Sequence, residues 1–352
     1  MIVDLDNFPG RTLLKNGKTY RYFGGTAYLG LQTDEEFLKL YVENIKKYGS
    51  NYSASRKSNV RFSVYEEGEA ALADVTGSQA CITLSSGYLT GQLVRDYFDS
   101  PEYECFYAPD THPALRRKNT KNHKSYEDLR ESITIHLKKN PSITPVLYFD
   151  TINLNKKEYP GLGWLKQFPL EKLILVADDS HGFGITGDEG GGSYKKLKEL
   201  NSKALVVCGS LGKGFGIAAG GVFGTRSFIN ELMETDMFIA SSPAAPHSLA
   251  TFLQAQSIYA GKRKLLLQHI NTFIERINHI NHFVILKSYP VFQYTNDTLS
   301  DHLLKNNIIV THFKYPNDSA DTISKIVLSA HHTGTDILHL TEAVNRYPTR
   351  LL

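Results

Sequence analysis

Six short apolar runs, each stopped by Gly, Asp, Ser or Thr, dominate the middle of the chain: ACITLSSG (80–87), CFYAPD (105–110), ITPVLYFDT (143–151), KLILVADDS (172–180), ALVVCGS (204–210) and GGVFGT (220–225). Between most of them lie polar stretches with helical spacing, such as GYLTGQLVRDYF and GSYKKLKEL. Strands that are apolar throughout need cover on both faces, and alternation with helices supplies it. The pattern therefore predicts an α/β fold, a mostly parallel sheet with helices on both faces. We place a large α/β domain at 46–245, preceded by an N-terminal segment at 1–45. From Ser248 to Ile280 the pattern reads as one long amphipathic helix. Strand-like HFVILK, VFQYT, NIIVTHF and SKIVLSA follow, with a closing helix near 334–346, so 246–352 is expected to be a linking helix and a small α+β domain.

The 352 residues carry 39 Lys+Arg against 36 Asp+Glu, a net charge of +3 spread along the chain, so no electrostatic footprint for nucleic acid is expected. Three cysteines (Cys81, Cys105, Cys208), each in an apolar run, are expected to be reduced core residues, with neither a disulfide framework nor a metal site. The opening MIVDLDNFPGRTLLKNGKTY lacks the basic and apolar regions of a signal peptide, and no stretch approaches the ~20 apolar residues of a membrane span. A cytoplasmic protein is expected.

Two glycine motifs fail on context. Gly182-Phe-Gly184-Ile-Thr-Gly187 fits GxGxxG, but Asp178-Asp179-Ser180-His181 separates it from its strand and helix-breaking GDEGGGS follows. Gly212-Lys213 resembles a phosphate loop, yet Val207 stands where that loop needs Gly and Gly214 where it needs Ser or Thr.

Four further segments lie at strand ends, where α/β folds bind ligands. Lys213, in GSLGKGFG after the strand ending at Cys208, can be a covalent nucleophile or a solvated loop lysine. Asp178 ends LILVAD, with His181 three residues on. If buried, its carboxylate needs a cationic partner, such as a protonated pyridine nitrogen; otherwise both belong to an exposed turn. Ser85-Ser86-Gly87-Tyr88 is a helix start whose free N–H groups attract phosphate, or simply a good cap. His112, in APDTH, offers a ring that could lie flat on an aromatic one, or does nothing.

Taken together, in the order 85–90, 112, 178 and 213, these residues resemble the fold-type I pyridoxal-phosphate enzymes, and within them the α-oxoamine synthases, the group of 8-amino-7-oxononanoate synthase and 2-amino-3-ketobutyrate CoA ligase. Tyr28-Leu-Gly-Leu31 is similar to N-D-Y-L-G-L, the stretch Tyr48 to Arg56 to Y-G-x-G-x-x-G-S-R, Val176 to Gly184 to V-D-E-A-H-x-x-G, and Gly209 to Lys213 to G-T-x-x-K. Ser241-Ser242-Pro243 resembles S-T-x-x-P-P, and Leu328 to Thr333 the closing L-S-A-x-H-T.

The resemblance implies that Lys213 carries pyridoxal 5'-phosphate, Asp178 pairs with the ring nitrogen, His112 stacks on the ring and His181 touches the 3-oxygen. Ser86, Gly87, Tyr88 and Ser210, with Ser241 and Ser242 of a second subunit, would hold the phosphate of a homodimer with shared sites. The implied reaction is decarboxylative condensation of an amino acid with an acyl thioester. Alternatives are an aminotransferase or aldol-type lyase, and a cofactor-holding, non-catalytic subunit. The substrate positions depart from the pattern: Lys325 stands for the family's carboxylate-binding arginine, Thr26 for its asparagine, Tyr65 for a histidine, and Asn153-Leu-Asn-Lys-Lys157 for S-M-D-G-D. A single ammonium replaces a two-pronged guanidinium, so a polar or acidic amino acid, met by Lys325 or by Lys156 and Lys157, is expected as substrate.

Overall fold

The computed structural model of the protein describes residues 4–109, 111–117, 120, 123–154, 161–314 and 321–348. In chain order, β1 (Thr12–Lys15) and β2 (Lys18–Phe23) lead to α1 (Glu35–Tyr48) and α2 (Val64–Thr76). There follow β3 (Ala80–Leu84), α3 (Gly87–Tyr97), β4 (Tyr103–Tyr107), α4 (Tyr126–Lys139), β5 (Thr144–Asp150), β6 (Ile174–Asp178), α5 (Tyr194–Lys198), β7 (Ala204–Ser210) and β8 (Gly220–Gly224). Helices α6 (Arg226–Met233), α7 (Asp236–Ala240), α8 (Pro246–Gln254) and α9 (Gln256–Arg276) precede β9 (Val284–Ile285), β10 (Val291–Gln293), α10 (Asp297–Lys305), β11 (Ile308–Lys314), β12 (Thr322–Val327) and α11 (Gly334–Asn345).

These elements form two units. The larger takes the described residues between Leu40 and Gln256 except Leu154; the smaller takes those up to Lys39 and from Ser257. The larger holds a six-stranded sheet in the order β3-β8-β7-β6-β5-β4. Strands β4 to β7 run parallel, whereas β8 is antiparallel to both β7 and β3. Every residue of β6 and β8 is buried, as unbroken apolar runs require of a sheet covered on both faces. One face places Val146, Tyr148, Val176, Val206, Cys208 and Val222 in a single core with Leu93 and Val94 of α3. Each such aliphatic side chain contributes about 1.5–3 kcal/mol on leaving water. All three cysteines are free; Cys81 and Cys208 are buried and Cys105 half-buried.

The smaller unit has its own six-stranded sheet, β1-β2-β11-β12-β10-β9. Asn16 and Gly17, both at positive φ, make the two-residue turn of the β1–β2 hairpin. On its other side β2 pairs in parallel with β11, Arg21 opposite Ile308 and Phe23 opposite Val310. The segment expected at 1–45 is thus divided: through Lys39 it belongs with the C-terminal unit, because its strands find their hydrogen-bonding partner there. The single helix expected over 248–280 is two, α8 and α9, separated at Ala255, which leaves helical geometry at φ −91° and ψ 14°. No residue type at 254–256 forbids a continuous helix; the break falls at the boundary between the units. Among the described residues no helix is long and apolar enough to cross a membrane, and no group of three or more His, Cys, Asp or Glu could hold a metal ion.

A polar lock joins the two ends of the chain within the smaller unit. Asp336, almost wholly buried, accepts from Arg11 Nη1 and Arg21 Nε at 2.9 Å each and from both the N–H and hydroxyl of Thr333, closing a capping box at the start of α11. Although burial pushes its pKa up, these donors outweigh it and hold the carboxyl at about 2. His332 stacks on Phe23 with ring centroids 4.1 Å apart. Its Nδ1 accepts from Ser329 N–H, so the proton sits on Nε2, which donates to Tyr22 O at 2.9 Å. Burial lowers the pKa of His332 to about 4 and of His331 to about 3.

Histidines held neutral in this way stabilise the fold fully above the unfolded value of ~6.5, and that contribution is lost as pH falls toward the folded values. The loss at pH 4.5 is about 2–3 kcal/mol per imidazole. Between pH 7.5 and 4.5 the two imidazoles should together cost several kcal/mol in denaturant unfolding, opposed by Asp179, whose raised pKa favours the folded state as pH falls. A His332→Gln variant should flatten part of that slope; an unchanged slope would refute the assignment.

Candidate active site

Side chains two residues apart along a strand share a face. Tyr148 of β5 and Val176 of β6 lie in the core beneath α3, so Asp150 and Asp178, two residues on and opposite each other in register, stand on that same face at the strands' C-terminal ends. Asp178 is buried, and its Oδ1 accepts from Ser180 N–H at 2.9 Å. Asp150 Oδ2 accepts from His112 N–H at 2.9 Å. The next residue, Asp179, belongs to another surrounding. It accepts from the Thr151 hydroxyl and from Ser193 N–H at 2.6 Å, bracing the 182–193 turn, and complete burial raises its pKa to about 7.

The N-terminus of α3 opens on the same face. Ser86, extended at φ −156°, caps the helix by accepting from Leu89 N–H at 3.2 Å. That leaves the N–H groups of Gly87 and Tyr88, which no acceptor among the described residues takes, at the positive end of an 11-residue helix. Glycine here is a matter of space. A Cβ on Gly87 would lie 2.6 Å from Ser210 Cα, and one on Gly220 2.6 Å from Gly87 N, so three backbone segments meet with no room for a side chain. Ser85 N–H donates to Ser242 O at 3.1 Å, and Pro243 bridges to Leu84, which lays the 241–243 segment along the end of β3.

Lys213 follows β7. Ser210 N–H donates to Ser180 Oγ at 2.8 Å, tying the ends of β6 and β7, and Gly212 N–H donates to Ser210 Oγ at 3.2 Å. The Ser210 hydroxyl proton faces no acceptor fixed by these bonds. Lys213 Nζ lies 3.0 Å from His181 Nε2. Burial lowers the pKa of Lys213, while the charges of Asp178 and then Asp150 raise it. Burial likewise lowers His112, opposed by Asp178 and reinforced by Lys213, so His112 senses both the carboxylate and the ammonium. The glycines of the failed GxGxxG motif serve packing, since a Cβ on Gly184 would lie 2.6 Å from the backbone of Gly214.

The structure thus brings together Ser86, Gly87, Tyr88, His112, Asp178, His181, Ser210, Lys213 and the backbone of Ser241–Ser242 in the larger unit. Asn153 is half-buried just beyond β5. Thr26 and Lys325 belong to the smaller unit, Thr26 in the bend after β2 and Lys325 on β12, opposite Thr311 and Gln293. Lys156 and Lys157 lie outside the described residues. Tyr65 donates to Ala244 O at 2.8 Å under the Arg56 guanidinium, 4.0 Å from its ring centre, so it packs and anchors the 243–245 segment. Sequence reasoning missed Asp150, whose signal was an apolar run ending on Asp, the same signal that marked Asp178.

Residues 165–344 match the family model for aminotransferase class I and II. The chain belongs to the aminotransferase class I and II family. Among its relatives are the 8-amino-7-oxononanoate synthase of Vibrio atlanticus (strain LGP32), 24% identical over 97% of this chain and 87% of that protein, and a putative 8-amino-7-oxononanoate synthase of Rippkaea orientalis, 23% identical over 98% and 94%. Serine palmitoyltransferase of Sphingomonas wittichii superposes with a TM-score of 0.80 at 16% identity, covering 97% of this chain and 90% of the other. The 8-amino-7-oxononanoate synthase structure from Francisella tularensis does so at 0.68 and 20%, covering 93% and 97%. These likenesses show the fold: a fold-type I transferase. A further serine palmitoyltransferase structure, at 0.79 and 18%, is described as containing pyridoxal phosphate. In sequence and fold this aminotransferase-family protein is thus similar to α-oxoamine synthases.

The crowding at Gly87 gives a test. In the aminotransferase-family protein, Gly87→Ala forces α3 away from Ser210 and should cost about 1–3 kcal/mol in denaturant unfolding. Gly212→Ala, whose added methyl meets nothing nearer than 3.4 Å, should cost much less. Equal costs would contradict the close approach.

Proposed function

We propose that the protein condenses an amino acid with an acyl thioester, releasing the carrier thiol and CO₂, as a homodimer. The observation that carries this reading is the placement of Lys213: its ammonium sits 3.0 Å from His181, under the pull of Asp178 and Asp150, beside a helix N-terminus held open by Gly87. The donor set fits pyridoxal phosphate. Gly87 and Tyr88 N–H and the Ser210 hydroxyl suit its phosphate, the buried Asp178 carboxylate suits a protonated ring nitrogen, and Lys213 suits its carbonyl carbon. When bound, the cofactor supplies an electron sink for the pair left at the amino acid's α-carbon.

The chain's own groups do the rest. Asp178 would hold the ring nitrogen in its protonated form, and His112 would supply a flat face for the ring. Burial leaves Lys213 Nζ easier to deprotonate, so its free amine would serve as the base for the amino acid's α-proton. His181 Nε2, in hydrogen-bond reach of Nζ, orients that amine and exchanges a proton with it. Ser241 and Ser242 are assigned to the phosphate of the second subunit. Thr26, Asn153 and Lys325 are assigned to the amino acid, whose carboxylate meets an ammonium in place of a guanidinium. The relatives' name supports the condensation, and the departures at these three positions leave the two substrates to experiment.

Borohydride reduction of the holoprotein should attach the cofactor at Lys213. Lys213→Ala should abolish turnover without unfolding the chain, and Asp178→Asn should lose most turnover while retaining cofactor. Labelling at another lysine would overturn the site. Free thiol and CO₂ from an amino acid plus acyl-CoA or acyl-carrier protein support the condensation; a keto acid without thiol release would instead mark an aminotransferase, and cofactor binding with no turnover a non-catalytic subunit.

The change from guanidinium to ammonium removes one charge-assisted bond, worth about 1.5–3 kcal/mol or roughly ten- to a hundredfold in affinity. A second polar or anionic group on the substrate would restore it. In a spectral titration with glycine, alanine, serine, aspartate and cysteate, the polar or acidic amino acids should bind tightest; tightest binding by glycine or alanine would refute this assignment.

A further inference from the structure

The two carboxylates at the end of the parallel sheet are treated alike by the backbone, and only one has a role so far. Asp178 accepts from Ser180 N–H, and Asp150, its register neighbour on β5, accepts from His112 N–H, both at 2.9 Å. We infer that Asp150 is a positioning residue which fixes the His112 imidazole over the cofactor ring by holding the backbone of the β4–α4 loop. This rests on the proposed cofactor site.

The loop is tied to β5 at successive points. Ala108 N–H donates to Tyr148 O at 2.9 Å, the Thr111 hydroxyl donates to Ala108 O at 2.7 Å and approaches Tyr148 O at 3.2 Å, and His112 N–H reaches the Asp150 carboxylate. After His112 the chain turns back, with Leu115 N–H donating to His112 O at 3.0 Å. The ring is held as well: its Nδ1 accepts from Ala114 N–H at 3.2 Å, so the neutral ring carries its proton on Nε2. Of the ties between the described residues of the loop and β5, the one to Asp150 acts on His112 itself and uses a side chain. It is charge-assisted, about twice as strong as a neutral bond. Lys213 and Asp178 are the charged groups that His112 senses, and Asp150 acts on Lys213 beside Asp178. Removing Asp150 therefore frees the loop at His112.

The test uses the full-length protein titrated with pyridoxal phosphate, reading the dissociation constant, the visible circular dichroism of the bound cofactor and the thermal midpoint. Asp150→Ala, and Asp150→Ser as a second variant, should weaken cofactor binding roughly tenfold and alter the visible dichroism with little change in midpoint. Asp150→Asn, whose amide oxygen can still accept from His112 N–H, should restore both. In a His112→Ala background, Asp150→Ala should add nothing, because Asp150 acts through the ring that is already gone. Additive losses, an Asp150→Ala protein that binds like wild type, an Asp150→Asn protein as poor as Asp150→Ala, or losses explained by unfolding in both the Ala and Ser variants would each overturn the inference. A wild-type protein that fails to bind the cofactor at Lys213 would instead overturn the site itself.

Discussion

A carboxylate buried at the end of an apolar strand is tolerable only where donors or positive charge answer it, and Asp178 imposes that condition on the larger unit. The answer comes from its surroundings in layers. Ser180 N–H takes one oxygen, Ser180 Oγ ties down Ser210, and the turn so formed carries Lys213 back within range of the charge. The lysine is in turn held by His181. A set of residues spread over Ser180 to Lys213 is thus one electrostatic assembly, and the glycines that let backbones touch at Gly87, Gly184, Gly214 and Gly220 allow it to close.

The smaller unit solves the opposite problem, that of holding the two ends of a chain together. Asp336 answers two arginines from the N-terminal strands, and His332 is kept neutral between two backbone groups. Burial lowers the histidines and raises Asp179, yet Asp336 ends up lowered, because there the number and charge of the donors exceed the cost of leaving water.

Much of the larger unit was legible because parallel strands must be apolar on both faces, and a polar residue that ends such a run lies where ligands bind. Lys213, Asp178, His181 and the Ser86–Tyr88 turn were found in that way. The same rule applied to ITPVLYFD would have found Asp150, and period-2 alternation would have set Asp179 apart from Asp178. The hairpin turn Asn16-Gly17 was a readable local signal that went unused. The pairing of β2 with β11 was not readable, since a register between segments nearly three hundred residues apart leaves no local pattern, and neither was the helix break at Ala255, where the residues themselves are good helix formers.

The pairing of β2 with β11 has a consequence for how the chain acquires its structure. Synthesis delivers the β1–β2 hairpin long before its partner strand β11, so the hairpin must wait while the larger unit emerges between them. During that interval β2 presents an open hydrogen-bonding edge, the kind that recruits strands from other chains. The larger unit, continuous in sequence apart from one excursion, can fold meanwhile without it. A nascent chain stopped short of Ile308 would carry a finished sheet in one unit and an unpaired edge in the other, which makes β11 the guard against aggregation.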